Sequence, residues 1–364
     1  MSHVSISLME KTTVRKFNPE KFNPNGSGIQ GQLFGLPFTP ETAQLVVVPV
    51  PWEVTVSYHA GASLGPAAIL EASMQVDLFI KDIPEAWKLG VSMLPVPHSM
   101  EKESARLREL SGQYLTRLGD QAIGAPDEPL LQKINESCEN LNIYVKSLVT
   151  KMMRDGKMVG LVGGDHSIPL GYLRALPNFY ARFGVLQIDA HADLRKAYQG
   201  FTYSHASIMY NALKIPAVNA LVQVGIRDLC EEENEVIRRA RGRVVTFFDE
   251  DIKSAMYSGR TWDNVCDKII EALPENVYIS FDIDGLDPKL CPGTGTPVPG
   301  GLEFYQVIHL LKRLAVAGKR IIGFDLNEVA PSKDNDWDAN VGARMLYQLC
   351  NWMGVSRGRL KSTI

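Results

Sequence analysis

The chain has 364 residues, 45% of them hydrophobic and 22% charged, with a formal net charge of −3; that is enough apolar material for a sizeable core. Its Lys and Arg residues are scattered rather than clustered, so nothing marks a nucleic-acid or membrane partner. The five cysteines, Cys138, Cys230, Cys266, Cys291 and Cys350, are odd in number and include no CxxC pair, which indicates neither a disulfide framework nor a thiolate zinc site.

The first 21 residues lack the apolar core of a signal peptide, and no run of about 18 apolar residues is present to cross a bilayer. A cytoplasmic protein is expected. Residues 1–43 read as an N-terminal extension whose Gly/Pro/Asn-rich part, 22–37, has no periodicity: either an arm packed on the body or a neighbouring subunit, or a poorly ordered terminus. From residue 44 short Val/Ile-rich runs alternate with helical periodicity, as in βαβ units. Strands are expected near 45–50, 158–162, 183–188, 220–224, 244–248, 277–281 and 321–324, and helices near 65–75, 130–154, 168–176, 229–240, 261–273, 303–317 and 339–353. The stretch 92–128 carries charged helical character at Glu101–Glu109 and reads as a surface excursion ending in a Pro-rich loop. No linker or internal repeat divides 44–364, so a single α/β domain is expected.

Three of these strands end in acid and imidazole. Phe183–Ile188 runs into Asp189, His191 and Asp193, which share a face if the extended conformation continues. Val277–Phe281 runs into Asp282 and Asp284, and Met158–Val162 into Gly163-Gly164-Asp165-His166. Buried, unpaired carboxylates carry a large desolvation cost that a divalent cation offsets by coordination. All three clusters fall at the carboxyl ends of expected parallel strands, where open α/β sheets place their sites.

In order and spacing, the segments GGDHS, DAHAD and SFDIDGLDP resemble the signatures of the ureohydrolase (arginase and agmatinase) family. The early loop Tyr58–Ile69 is similar to the glycine-rich loop of agmatinases, so the likeness spans roughly 44–353. It implies an arginase-like three-layer α/β/α fold with a mostly parallel sheet of about eight strands. It also implies two divalent ions: one on His166, Asp189, Asp193 and Asp282, the other on Asp189, His191, Asp282 and Asp284. Oxygen-rich ligation with two imidazoles suits Mn²⁺, with Ni²⁺ as the alternative. Such ions ionise water near neutral pH, for attack on a guanidinium carbon to give urea and an amine or ammonia.

By the same resemblance His205 is the proton-transfer histidine and Glu328 the carboxylate that grips the guanidinium. Asp228 is placed either facing the substrate's distal end or pairing with Arg227, and His59 in a loop bordering the pocket. The stretch Leu194–Ser204 lacks the Thr/Ser/Asn pattern with which arginases read an amino acid, and Ala206 replaces the usual glycine. Tyr198, Phe201 and Tyr203 are expected to wall off a small pocket. The N-terminal extension and this loop are also similar to a subgroup of agmatinase-like proteins that act on free guanidine, and the resemblance implies a small substrate of that kind, with agmatine or a guanidino acid as the alternative. A trimer or hexamer is the family expectation, and a non-catalytic assembly or regulatory subunit is the reading from another class.

Overall fold

The computed structural model describes residues 21–56, 58–119 and 128–364. Val, Ile and Leu runs form eight strands: β1 (Leu45–Val50), β2 (Val91–Met93), β3 (Met158–Gly163), β4 (Phe183–Ile188), β5 (Val218–Ile226), β6 (Val244–Phe248), β7 (Asn276–Asp282) and β8 (Arg320–Asn327). All pair in parallel in one sheet, in the order β2-β1-β3-β8-β7-β4-β5-β6. Both faces are covered, which is why β1 and β3 are apolar throughout, and β4 apolar but for Gln187, rather than alternating.

The helices are α1 (Gly65–Ala72), α2 (His98–Gly119), α3 (Glu128–Arg154), α4 (Leu170–Ala175), α5 (Ile208–Ala212), α6 (Glu231–Arg239), α7 (Asp249–Tyr257), α8 (Trp262–Glu271), α9 (Phe304–Val316) and α10 (Trp337–Ser356). Side chains of α1, α8, α9 and α10 build one apolar layer and those of α2, α3, α4 and α5 the other. Along β4, Leu186 and Ile188 enter the first layer while Phe183 and Val185 enter the second, the two-residue alternation of a strand between two cores.

Three elements differ from the sequence expectation. The run 92–128 is no surface excursion: it opens with the end of β2 and continues as α2, which buries Ser104, Leu107, Ser111 and Tyr114. Of its Pro-rich tail, residues 124–127 lie outside the described residues, while Glu128 and Pro129 open α3. Helix α7, directly after β6, was not anticipated. The glycine-rich segment packs onto the body through Leu33, Phe34, Leu36 and Phe38. Its glycines permit a close backbone crossing, since a Cβ on Gly28 would lie 2.7 Å from Gly35 Cα.

Another close approach is testable. Gly160 of β3 pairs with Phe324 of β8, and a Cβ on Gly160 would lie 2.3 Å from the Phe324 ring. Gly160→Ala is expected to cost about 1–3 kcal/mol by overpacking, seen as a lower urea midpoint at unchanged slope.

Candidate metal centre

The strand order explains why clusters far apart in the chain meet. Strands β7 and β8 sit between β3 and β4, so the carboxyl ends of β3, β8, β7, β4 and β5 form one contiguous edge. That edge carries, in turn, His166, Glu328, Asp282 and Asp284, Asp189 to Asp193, and Asp228.

Each cluster is shaped by the same local device. An Oδ1 of the first aspartate accepts the backbone N–H two residues on: Asp189 from His191 at 2.7 Å, Asp282 from Asp284 at 2.9 Å and Asp165 from Ser167 at 3.0 Å. These Asx turns end the strands. Asp193 then takes a left-handed φ of 55°, which turns the chain again. Convergence of Asp189, His191 and Asp193 thus comes from turns, not from a continued pleat. Before His166, Gly164 has no room for a side chain, because a Cβ there would lie 2.0 Å from Trp52 O.

His166 Nδ1 lies 2.9 Å from Asp189 Oδ2, 3.0 Å from Asp193 Oδ2 and 3.4 Å from Asp282 Oδ2. It nevertheless makes no hydrogen bond and is fully buried. Its other nitrogen, Nε2, lies 2.8 Å from Ser280 Oγ, which donates to Asp325 Oδ2 at 3.0 Å. His191 Nδ1 lies 3.1 Å from Asp284 Oδ2 and 3.6 Å from Asp189 Oδ1. Two sets, His166/Asp189/Asp282 and Asp189/His191/Asp284, each present one donor atom apiece within 4.8 Å of one another. Asp189 belongs to both.

The electrostatics are those of crowded, desolvated acids. Burial first, then the Asp189 charge, pushes Asp193 up to about 7. Burial and the charges of Asp284 and Asp189 push Asp282 well up. Burial opposes the charge on His191, yet Asp284 and Asp189 outweigh it and raise it to about 12. Among the residues lining the cavity, Arg195 is the sole Lys or Arg, so four carboxylates gather with little fixed positive charge of their own.

The cavity measures about 160 Å³ and includes His166, His191, Asp193, Asp282, Asp284, His205, Asp228 and Glu328 in its lining. Glu328, at φ 64°, is buried; its Oε1 accepts the His166 N–H at 2.8 Å. Burial and the Asp165 and Asp284 charges raise its pKa well above the usual range. His205 Nδ1 lies 3.4 Å from both Thr55 Oγ1 and Ser204 Oγ. Burial, with the positive charges of His191 and His166, lowers His205 to about 3.

Asp228 sits on the rim, its side chain 66% exposed and 3.9 Å from His191 Nε2. Arg227 is no partner for it, since its guanidinium donates to the carbonyls of Gly225, Asp284, Leu286 and Val298. His59 is exposed and stacked on Tyr58; Tyr58 lines the cavity and His59 does not. Of the three aromatics expected to wall the pocket, Tyr198 alone lines it. Phe201 is buried against Tyr114, and Tyr203 lies under Arg174.

Two supports went unnoticed in the sequence. Glu53, buried, accepts the N–H groups of Gly61 and Ser63 at 2.8 Å and so holds the glycine-rich loop. Gln187 donates to Asp189 Oδ2 at 2.8 Å and accepts from Gln223, which in turn accepts from Thr246 Oγ1 at 2.8 Å. Gln187 and Gln223 are buried polar residues inside apolar runs of β4 and β5, a signal that was available.

Residues 43–351 match the family model described as the arginase family. The chain belongs to the arginase family. As an arginase-family amidinohydrolase it is 32% identical over 339 residues to an N(1)-aminopropylagmatine ureohydrolase of Thermus thermophilus, covering 91% of this chain and 98% of that one. It is 31% identical over 316 residues to the protein of that name from Synechocystis sp., covering 86% and 90%. The agmatine ureohydrolase of Thermoplasma volcanium superposes with a TM-score of 0.68 at 25% identity, over 93% of this chain and 97% of that one. The eight-stranded parallel arginase-like sheet is thereby established. Among the described residues no helix is long and apolar enough to cross a membrane.

Proposed function

We propose that this arginase-family member hydrolyses a compact guanidino compound, free guanidine foremost, to urea and ammonia at a pair of divalent cations. His166, Asp189, Asp193 and Asp282 would hold one ion, and Asp189, His191, Asp282 and Asp284 the other. The observation that carries this reading is His166 Nδ1, buried within 3.4 Å of three carboxylate oxygens yet hydrogen-bonded to none. Groups arranged that way face a common point rather than one another. The hard oxygen set favours Mn²⁺, with Ni²⁺ next. When bound, such a pair supplies hydroxide from water near neutral pH.

The chain's own residues then bind and relay. Glu328 keeps Oε1 on the His166 N–H, which leaves Oε2 for the planar guanidinium. A cation beside it favours the charged carboxylate that burial disfavours. Gly295 keeps that oxygen accessible, because a Cβ there would lie 3.1 Å from it. His205, with Nδ1 toward Thr55 and Ser204, has Nε2 for the cavity. Within the cavity lining, this imidazole would carry a proton from the attacking oxygen to the leaving nitrogen.

The compact substrate is supported by size. At about 160 Å³ the cavity falls below the roughly 300–1,000 Å³ of pockets for drug-sized ligands. Agmatine is the second reading, favoured by relatives named for agmatine and aminopropylagmatine. Filled positions at all eight candidate metal and catalytic residues argue against a non-catalytic assembly subunit. The five cysteines are free, in keeping with a reducing cytoplasm, and a trimer or hexamer is the assembly we propose on family grounds. Urea release should be measured from guanidine, agmatine, arginine and guanidino acids with Mn²⁺ and with Ni²⁺. Guanidine is expected to have the highest kcat/KM; agmatine or arginine exceeding it would overturn the substrate assignment.

A further inference from the structure

Beside the buried acids, the cavity has a rim that includes the exposed Tyr58 (68%) and Thr296, with the side chains of Asp228 at 66% exposure and Arg195 at 38%. Anything attached to a guanidino group held at Glu328 must leave past this rim. Arg195 is fixed there from several sides. Its backbone N–H donates to Ala206 O at 3.1 Å, and its guanidinium carbon lies 4.8 Å over the Tyr198 ring, a stacked cation–π arrangement. Its Nε is 3.6 Å from Glu233 Oε2, beyond hydrogen-bond reach.

Glu233 does not use up that guanidinium. Its Oε1 accepts the Leu194 N–H at 3.0 Å and its Oε2 the Cys230 N–H at 2.9 Å, which caps α6. Among the described residues the Arg195 side chain donates no hydrogen bond. A planar fork with unused donors, held in orientation at the exit of a guanidino pocket, suits a carboxylate. It also places positive charge where an ammonium tail would have to pass.

We propose that Arg195 is the specificity-determining residue of the rim, admitting a guanidino compound with a carboxylate tail and disfavouring one of equal length with an ammonium tail. Two carboxylates oppose Arg195: Asp228, the more solvated and therefore the more screened, and Glu233, 3.6 Å from Arg195 Nε, whose two oxygens are each held by a backbone N–H. This inference rests on the guanidino pocket proposed above, and it deepens that reading by assigning the sign of the tolerated tail.

The test compares agmatine with 4-guanidinobutyrate, which match in chain length and differ in terminal charge, using guanidine as the tail-less reference. Dissociation constants are measured by calorimetry on the Mn²⁺-loaded full chain. Wild type should bind the acid more tightly than the amine. Arg195→Gln, which keeps a planar end and loses the charge, should lower that preference at least about tenfold, equivalent to ~1.4 kcal/mol. Arg195→Lys, which keeps the charge but loses the planar fork, should lower it clearly less than Arg195→Gln does. Thermal midpoints check that both variants fold.

An unchanged preference in Arg195→Gln, an equal fall in both variants, or a wild type that binds guanidine but neither tailed compound would each overturn the role of Arg195. A protein that binds the acid selectively but releases urea from no compound would sink the proposed reaction and leave Arg195 standing. Absence of binding by all three compounds would sink both.

Discussion

Asp189→Asn is expected to remove urea release by at least roughly 10³-fold, since the residue serves both candidate metal positions and members of one catalytic unit fail together. The substitution is nearly isosteric. Asparagine Oδ1 can still accept the His191 N–H that Asp189 accepts at 2.7 Å, so the Asx turn survives. What it loses is the charge at Oδ2, the atom 2.9 Å from His166 Nδ1, and there the asparagine NH₂ would face the Gln187 donor. Metal analysis should show fewer than two ions per chain, against two for wild type, while circular dichroism stays native. Chelation of wild type should lower its thermal midpoint, by the linkage between ligand binding and folding, and should lower that of Asp189→Asn much less. Full metal content with full activity in the variant would end the two-ion reading.

Glu328→Gln separates substrate binding from metal binding. Glutamine Oε1 can keep the 2.8 Å hydrogen bond from the His166 N–H, so the imidazole stays in place and metal content should be unchanged. A buried ion pair broken by removing one partner costs about 3–5 kcal/mol, or roughly 10²- to 10⁴-fold in kcat/KM. If the carboxylate holds the guanidinium in both ground and transition states, the loss appears mainly in KM. A variant with wild-type kcat/KM would remove Glu328 from substrate recognition.

Much of this was legible in the sequence because parallel strands covered on both faces are written as unbroken apolar runs, and the site begins where those runs stop. His166, Asp189, His191, Asp193, Asp282 and Asp284 were all found as polar endings to such runs. Strand β2, Val-Ser-Met, was too short to show any period, and α7 follows β6 with no turn residue between them. The aromatics after Asp193 were misassigned because side-chain direction in an irregular loop follows no period. Phe201 turns into the core while Tyr198 faces the cavity. Glu53 and Arg195 were missed for another reason: their partners, Gly61 and Glu233, sit across loops whose spacing says nothing about contact. Glu53 does follow β1 at the same sheet edge as the other site residues, and that position was the available clue.

Because β7 and β8 fill the gap between β3 and β4, the centre is divided along the chain in a way that no shorter product can imitate. A ribosome that has delivered residues up to 275 has made His166 and Asp189 but neither of the strands that belong between them. Stalled or clipped fragments would therefore carry some of the acids without a complete cradle, and competence arrives only with the final quarter of the polypeptide.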